Sequence, residues 1–373
     1  MVNNLMKKSH EIHKNQGKLI STENIKLVDT MKPINYAKKF KVISLFSGCG
    51  GMDLGFKGGF EIFKQHYEHN PYEIIFSNDI SDKACRTYES NFCHSSVCAD
   101  IKDIKNEDIP NADIVIGGFP CQDFSHAGKR KGLSAERGRL YLEMKRVIDY
   151  IKPIAFVAEN VDGIRTNSKG KDTTALDIIL KDFMDSGYQV AYKVLNTADY
   201  GVPQTRIRVI IMGIRNDYVG DIMYPKPVRG NEGLFEWMTS KEAIDDLWDK
   251  IDSKEVFNHS SKDYSKAKFY PGKKMQGNYK ILADRPSITI RAEHHGNIEA
   301  HYRSYNNEDP EDMGYWRRLS VRECARLQSF PDDFNFPFSA SEAYKQIGNA
   351  VPPILGWHIA RALYHTLTKN KKS

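Results

Sequence analysis

The chain has 373 residues, 40% of them hydrophobic and 27% charged, with a net charge of +6. That composition is ordinary for a soluble globular protein, and the length suits one large domain or two moderate ones. No apolar run approaches a membrane span and nothing near the N-terminus resembles a secretory h-region, while the mild positive charge permits nucleic acid without demonstrating it.

Residues 1–39 are polar and Lys-rich without clear periodicity and read as a mostly flexible basic arm. KVISLF (41–46) then reads as a strand ending in the glycine-rich SGCGGMDLGF. EIIFSND (73–79), ADIVIGG (112–118) and IAFVAEN (154–160) are further short apolar runs that end at polar or small residues. Helix-like segments, Ser81–Phe92 and Arg139–Ile151, lie between them. Strands alternating with helices at this spacing predict a parallel sheet with helices on both faces. RIRVIIMGI (206–214) is another buried strand.

Beyond Arg215 the texture changes. Ile244, Leu247, Trp248 and Ile251 recur at helical spacing and read as a packing stripe. SITIRA (287–292) alternates, with Ile288 and Ile290 expected on one face and Thr289 and Arg291 on the other. At Ser320 the pattern S-x-x-E, completed by Glu323, predicts a capped helix start.

Six cysteines (49, 85, 93, 98, 121 and 324) form no CxxC pair and no Cys/His ligand spacing. That argues against disulfides and structural zinc and fits a reducing cytoplasm. Cys121, in GGFPCQDFS, follows a buried strand, so it should sit at the carboxyl edge where open α/β sheets bind ligands. Taken alone, a cysteine is more often packing than chemistry. FSGCGG is a strand–glycine turn–helix unit of the kind that lets backbone approach a ligand, but it is neither GxGxxG nor GxxxxGK[ST]. Asp79 suits two ribose hydroxyls, and Asp100 can accept from an adenine amino group. Glu159 ends a hydrophobic strand, where partial burial favours a protonated carboxyl. Period-2 alternation in QTRIRV puts Arg206 and Arg208 on one face, available to lower a nearby thiol's pKa or hold a base carbonyl. Taken alone, a generic βα turn explains the glycine turn with Asp79 and Asp100 about as often as a cofactor site does. An isolated strand-end Glu159 by default caps a helix or pairs with Arg, and the two arginines equally suit a surface salt bridge.

In order, FSGCGG, GFPCQDFS, ENV, QTRIR, RRLSVRECARLQSFPDDF and QIGNAVPP resemble the motif series of the C5-cytosine methyltransferases, over about Lys41 to Leu363. The resemblance implies a doubly wound, mostly parallel α/β fold of the S-adenosylmethionine-dependent, Rossmann-like kind with a smaller inserted target-recognition domain. It divides the chain into the arm (1–39), a catalytic and cofactor-binding domain (40–214 plus 340–368) and a recognition domain (215–339). It implies that Cys121 is the nucleophile, adding to C6 of a flipped cytosine, with Glu159 at the N3 and amino edge. Arg208 then holds the base carbonyl and Arg206 supports the loop. S-adenosylmethionine is the implied cofactor, leaving as S-adenosylhomocysteine. Its site is implied at Phe46, Ser47, Gly48, Cys49, Gly50, Gly51, Asp79, Ile80, Asp100, Ile101, Leu140, Asn349 and Ala350. Gln122, Ser125, Thr289 and Arg291 are implied DNA contacts, and no metal is required. Two positions depart from the common pattern, with Asp79 where Glu is more usual and Ile80 where an aromatic is often found.

The expected function is therefore methylation of cytosine C5 in duplex DNA, as the modification half of a restriction-modification system. The expected protein is a cytoplasmic monomer working with the nucleoid, off the membrane, beside a cognate endonuclease that it does not bind. An RNA-modifying branch shares these motifs but typically carries Cys-Phe-Thr in its variable region, and no cysteine occurs here between Arg215 and Trp316. A catalytically dead relative is opposed by the intact Pro120-Cys121, Glu159 and Gln204-x-Arg206-x-Arg208. A nicotinamide oxidoreductase lacks its glycine fingerprint.

Overall fold

The structure is a computed structural model that describes residues 17–120, 140–166, 173–264, 279–292, 302–304, 309, 312, 314–369 and 371–372. Its centre is a seven-stranded sheet of β1 (Phe40–Leu45), β2 (Tyr72–Asp79), β3 (Val97–Cys98), β4 (Ile114–Gly117), β5 (Ala155–Val161), β6 (Tyr188–Asn196) and β7 (Ile207–Arg215). The spatial order is β3-β2-β1-β4-β5-β7-β6. The first five strands pair in parallel, and β7 runs antiparallel between β5 and β6. The helices are α1 (Gly51–Lys57), α2 (Asp82–Asn91), α3 (Tyr141–Ile151), α4 (Ala175–Asp185), α5 (Ser240–Ile244), α6 (Val321–Leu327), α7 (Ala340–Asn349) and α8 (Pro353–Lys369).

The central strands are mostly apolar because both faces are covered, so alternate residues enter different cores. Ile43, Val115, Phe156 and Ala158 pack with α3 and α4 on one face. Val42, Ile114, Ile116, Ala155 and Val157 pack with α1 and α8 on the other. A third core joins α2 and the glycine turn to the smaller region, through Cys49, Tyr88, Phe92, Ile244, Leu247, Ile290, Phe330 and Ile347. The chain starts mid-sheet at β1, moves outward to β2 and β3, and returns to β4. That reversal between β1 and β4 is the switch point where open α/β sheets bind ligands. It brings the loop after β1 beside the loop after β4.

The structure corrects two expectations. The arm is not free over its described part: Lys26–Val28 pairs in parallel with Met223–Pro225, and Thr30 is buried against His358 at 2.6 Å. Contacts cross position 214/215 as well. Tyr224 is buried and donates its hydroxyl to the Ala191 and Ile210 carbonyls of the large domain, while Tyr344 and Ile347 of α7 belong to the third core. Within SITIRA, only Ser287–Ile288 is strand, so Ile288 is 44% exposed whereas Ile290 is 1% exposed. Parity cannot carry through a strand that stops after two residues. The helix predicted from Ser320 is α6, with the reciprocal cap between Ser320 and Glu323 in place.

Candidate active site

The parallel strands deliver their carboxyl ends to one edge, and the candidate residues gather there. After Leu45 the backbone turns through positive φ at Phe46 (55°), Gly48 (56°) and Gly50 (90°). A left-handed Phe is costly, and such strain is typically kept where a ligand is bound. Asp79, at the end of β2, fixes this turn: one carboxylate oxygen accepts from Gly48 N–H at 2.9 Å and the other from Ser81 N–H at 2.9 Å. Burial raises its pKa, opposed by those backbone donors. The Ser47 amide donates to the Asn78 carbonyl at 2.9 Å.

The C-terminal segment closes against the same turn. A Cβ on Gly51 would stand 2.4 Å from the Val351 carbonyl oxygen and 3.1 Å from the Ala350 methyl. Only glycine permits that approach. Asn349 is exposed beside it, and Ile80 presents a side chain that is 69% exposed at the end of β2. Asp100 accepts from the Lys102 amide at 3.1 Å, and Ile101 is buried in the same core against which Phe46 and Leu140 pack. Apolar Phe46, Ile80 and Leu140, two acids and a turn of close-approach glycines thus share the switch-point edge. The Cys49 side chain points into the third core. It is buried, with burial pushing its thiol up to about 12, and its Sγ lies 3.9 Å from the Gln346 carbonyl.

Cys121, Gln122 and Ser125 lie outside the described residues, but the frame that leads to them is clear. β4 ends at Gly117, and a Cβ on Gly118 would lie 3.0 Å from Glu159 Oε2. The Glu159 carboxylate therefore stands over the backbone three residues before Cys121. Next to it, Asn160 donates its side-chain amide to the Phe119 carbonyl at 3.1 Å and so tethers the start of the Pro-Cys loop. Glu159 is not an isolated carboxyl in an apolar pocket. Arg208 Nε stands 2.7 Å from its Oε1, with both side chains 11% exposed, an ion pair rather than an aligned hydrogen bond.

Arg206 does not share that face. It precedes β7, and its guanidinium donates to the carbonyls of Ile290 (2.9 Å) and Gly348 (2.8 Å). The strand breaks between Thr205 and Ile207, so counting by twos fails there. Thr289 donates its hydroxyl to the Thr205 carbonyl at 2.8 Å, and Arg291 is half-buried alongside. Asn160, Gly118 and Gln204 were present in the quoted motifs, but the sequence assigns them no role. Gln204 is wholly buried, accepts from the Ile290 amide at 3.0 Å and donates to Gln328 at 2.6 Å.

Comparison with known proteins decides the family. The sequence profile described as C-5 cytosine-specific DNA methylase matches residues 40–365. The chain belongs to that family. Type II methyltransferase M.NgoFVII of Neisseria gonorrhoeae is 38% identical to this methylase over 336 residues, covering 85% of this chain and 84% of that protein. Type II methyltransferase M.FnuDI of Fusobacterium nucleatum is 35% identical over 353 residues, covering 89% and 96%. Among solved structures, the Entamoeba histolytica methyltransferase EhMeth superposes with a TM-score of 0.65 at 17% identity, covering 89% of this methylase and 99% of that chain. That likeness concerns the fold. The methylase is a DNA cytosine-5 methyltransferase. No helix among its described residues is long and apolar enough to cross a membrane.

Proposed function

We propose that this methylase modifies C5 of a cytosine flipped out of a specific duplex DNA sequence, through a covalent bond from Cys121 to C6. The observation that carries the reading is the Glu159–Arg208 pair standing over Gly118, at the root of the Pro-Cys loop. Cytosine C5 is a poor nucleophile. Addition of the Cys121 thiolate at C6 turns the ring into an enamine with electron density at C5. Glu159 meets the N3 and amino edge and Arg208 the base carbonyl, so the clamp offsets charge as the thiolate adds. Once C5 carries its methyl group, its proton leaves, the S–C6 bond breaks, and the thiolate is regenerated.

Phe46 to Gly51, Asp79, Ile80, Asp100, Ile101, Leu140, Asn349 and Ala350 fit S-adenosylmethionine, which when bound supplies an electrophilic methyl on sulfur. Their mixture of apolar surface, acids and close-approach glycines suits an adenosine with a charged tail. Gln122 and Ser125 are assigned to DNA from their motif, and Thr289 and Arg291 from their place in the recognition segment. Arg206 supports backbone rather than substrate. The protein works as a cytoplasmic monomer with the nucleoid, beside an endonuclease of the same site specificity that it does not bind. Duplex DNA incubated with methyl-labelled S-adenosylmethionine and then digested to nucleosides should yield labelled 5-methylcytosine. Glu159→Gln should lower kcat by ~10²–10⁴-fold, the usual worth of such a group. Label on another base, or near wild-type turnover in Glu159→Gln, contradicts the reading.

A further inference from the structure

The described residues contain a buried hydrogen-bond chain that the chemistry above does not use. Ile290 N–H donates to Gln204 Oε1 at 3.0 Å, Gln204 Nε2 to Gln328 Oε1 at 2.6 Å, and Gln328 Nε2 to the Ala350 carbonyl at 2.7 Å. Both glutamines are 0% exposed. The polarity is fixed, because flipping either amide would set donor against donor or acceptor against acceptor. Arg206 supplies a second strut, from the Ile290 carbonyl to the Gly348 carbonyl. Between these struts the backbones touch: a Cβ on Gly348 would lie 2.2 Å from Ala292 N. Both polar backbone groups of Ile290, the residue between Thr289 and Arg291, are thus held by side chains: Arg206 reaches from its carbonyl to Gly348, and Gln204 from its N–H to Ala350 by way of Gln328. Ala350 in turn presses on the glycine turn at Gly51.

We infer that Gln328, acting with Gln204, is a positioning residue that ties the DNA-recognition segment to the cofactor wall, so that each ligand strengthens binding of the other. This rests on the reading that the glycine turn takes S-adenosylmethionine and that Thr289 and Arg291 face DNA. Displacing either end breaks bonds in a buried site, where an unmade hydrogen bond is expensive. The two sites therefore move as one unit or not at all. Coupling of this kind is commonly worth 5–150-fold in affinity.

The test measures the dissociation constant of a duplex carrying the mapped methylation site, with and without S-adenosylhomocysteine, in wild type and in Gln328→Met. Methionine keeps the length of glutamine and removes both hydrogen bonds. The ratio of the two constants should fall at least about fivefold in the variant. A merely structural role would weaken both affinities and leave the ratio alone, so an unchanged ratio overturns the inference. Hydrogen exchange on wild type gives a readout that does not depend on the variant folding. S-adenosylhomocysteine alone should slow exchange of the Ile290 amide, and unaltered exchange there also overturns it. Failure of wild type to bind S-adenosylhomocysteine at all would instead remove the parent reading and this link with it.

Discussion

Replacing Glu323 by Gln should cost this methylase a large part of its stability. The carboxylate is 0% exposed and accepts from Arg303 at 2.7 Å, from both terminal nitrogens of Arg317 at 2.6 and 2.8 Å, and from the Ser320 amide at 2.8 Å. The two guanidiniums stack on Trp248, with centroid distances of 4.8 and 4.7 Å. Burial alone would raise the carboxyl pKa. The Arg317 hydrogen bonds and the charges of Arg317, Arg303 and His259 outweigh it and pull the group from 4.5 down to about 2. At 1.36 kcal/mol per unit, that shift corresponds to roughly 3 kcal/mol. Removing one partner of a buried ion pair costs about 3–5 kcal/mol by a separate route, so the two agree. Because the folded pKa is depressed, the stabilisation is complete above about 4.5 and disappears as pH falls through about 2. Urea unfolding at pH 7 should show Glu323→Gln less stable by about 3–5 kcal/mol. Between pH 5 and 2 the wild type should lose stability more steeply than the variant. A loss below about 1 kcal/mol, or parallel acid profiles, would refute the reasoning.

Gly118→Ala should press a methyl group against Glu159 Oε2, at a 3.0 Å approach, and displace the carboxylate. Single-turnover methylation should slow by about tenfold to a hundredfold while the melting temperature holds, and an unaffected rate would contradict the geometry. Cys49, with its thiol pushed up to about 12 by burial, should resist iodoacetamide in the native protein at pH 8 and be labelled only after unfolding, as read by mass spectrometry. Exchanging residues 226–318 for a relative's segment should move methylation to the relative's sequence without changing affinity for S-adenosylhomocysteine. An active chimera that keeps its original site would count against this assignment of recognition.

Much of the sheet was legible because buried parallel strands announce themselves as short apolar runs, as in Ile114–Ile116 and Ala155–Ala158. The glycine turn was legible too, and so was the Ser320 cap, since both depend on local chemistry. Local parity was less dependable. Arg206 and Arg208 look alike on paper, but the break before Ile207 sends one to the Ile290 and Gly348 carbonyls and the other to Glu159. Ile288 and Ile290 part company for the same reason. β6 carries a mixed pattern, YQVAYKVLN, whose half-buried positions hide the strand until its pairing with β7 is seen. Tertiary polar links were invisible: Gln204 and Gln328 are 124 positions apart, and a neutral amide carries no signal of its partner. Asp79 was legible as an acid at the end of a strand, whereas its two bonds to Gly48 and Ser81 amides depend on a turn that only the fold creates.

The central claim is that Cys121 attacks C6 of the target cytosine, and a mechanism-based trap tests it most directly. Duplex DNA carrying fluorine at C5 of that cytosine still accepts the thiolate and the methyl group, but fluorine cannot leave as a cation. Elimination then stalls with enzyme and DNA joined through C6. In the presence of S-adenosylmethionine, the joined species should survive denaturing electrophoresis and map to Cys121 by peptide sequencing. It should vanish in Cys121→Ala and persist in Cys49→Ala and Cys324→Ala. An adduct at another cysteine, or none on DNA and one on fluorinated RNA, would contradict the account.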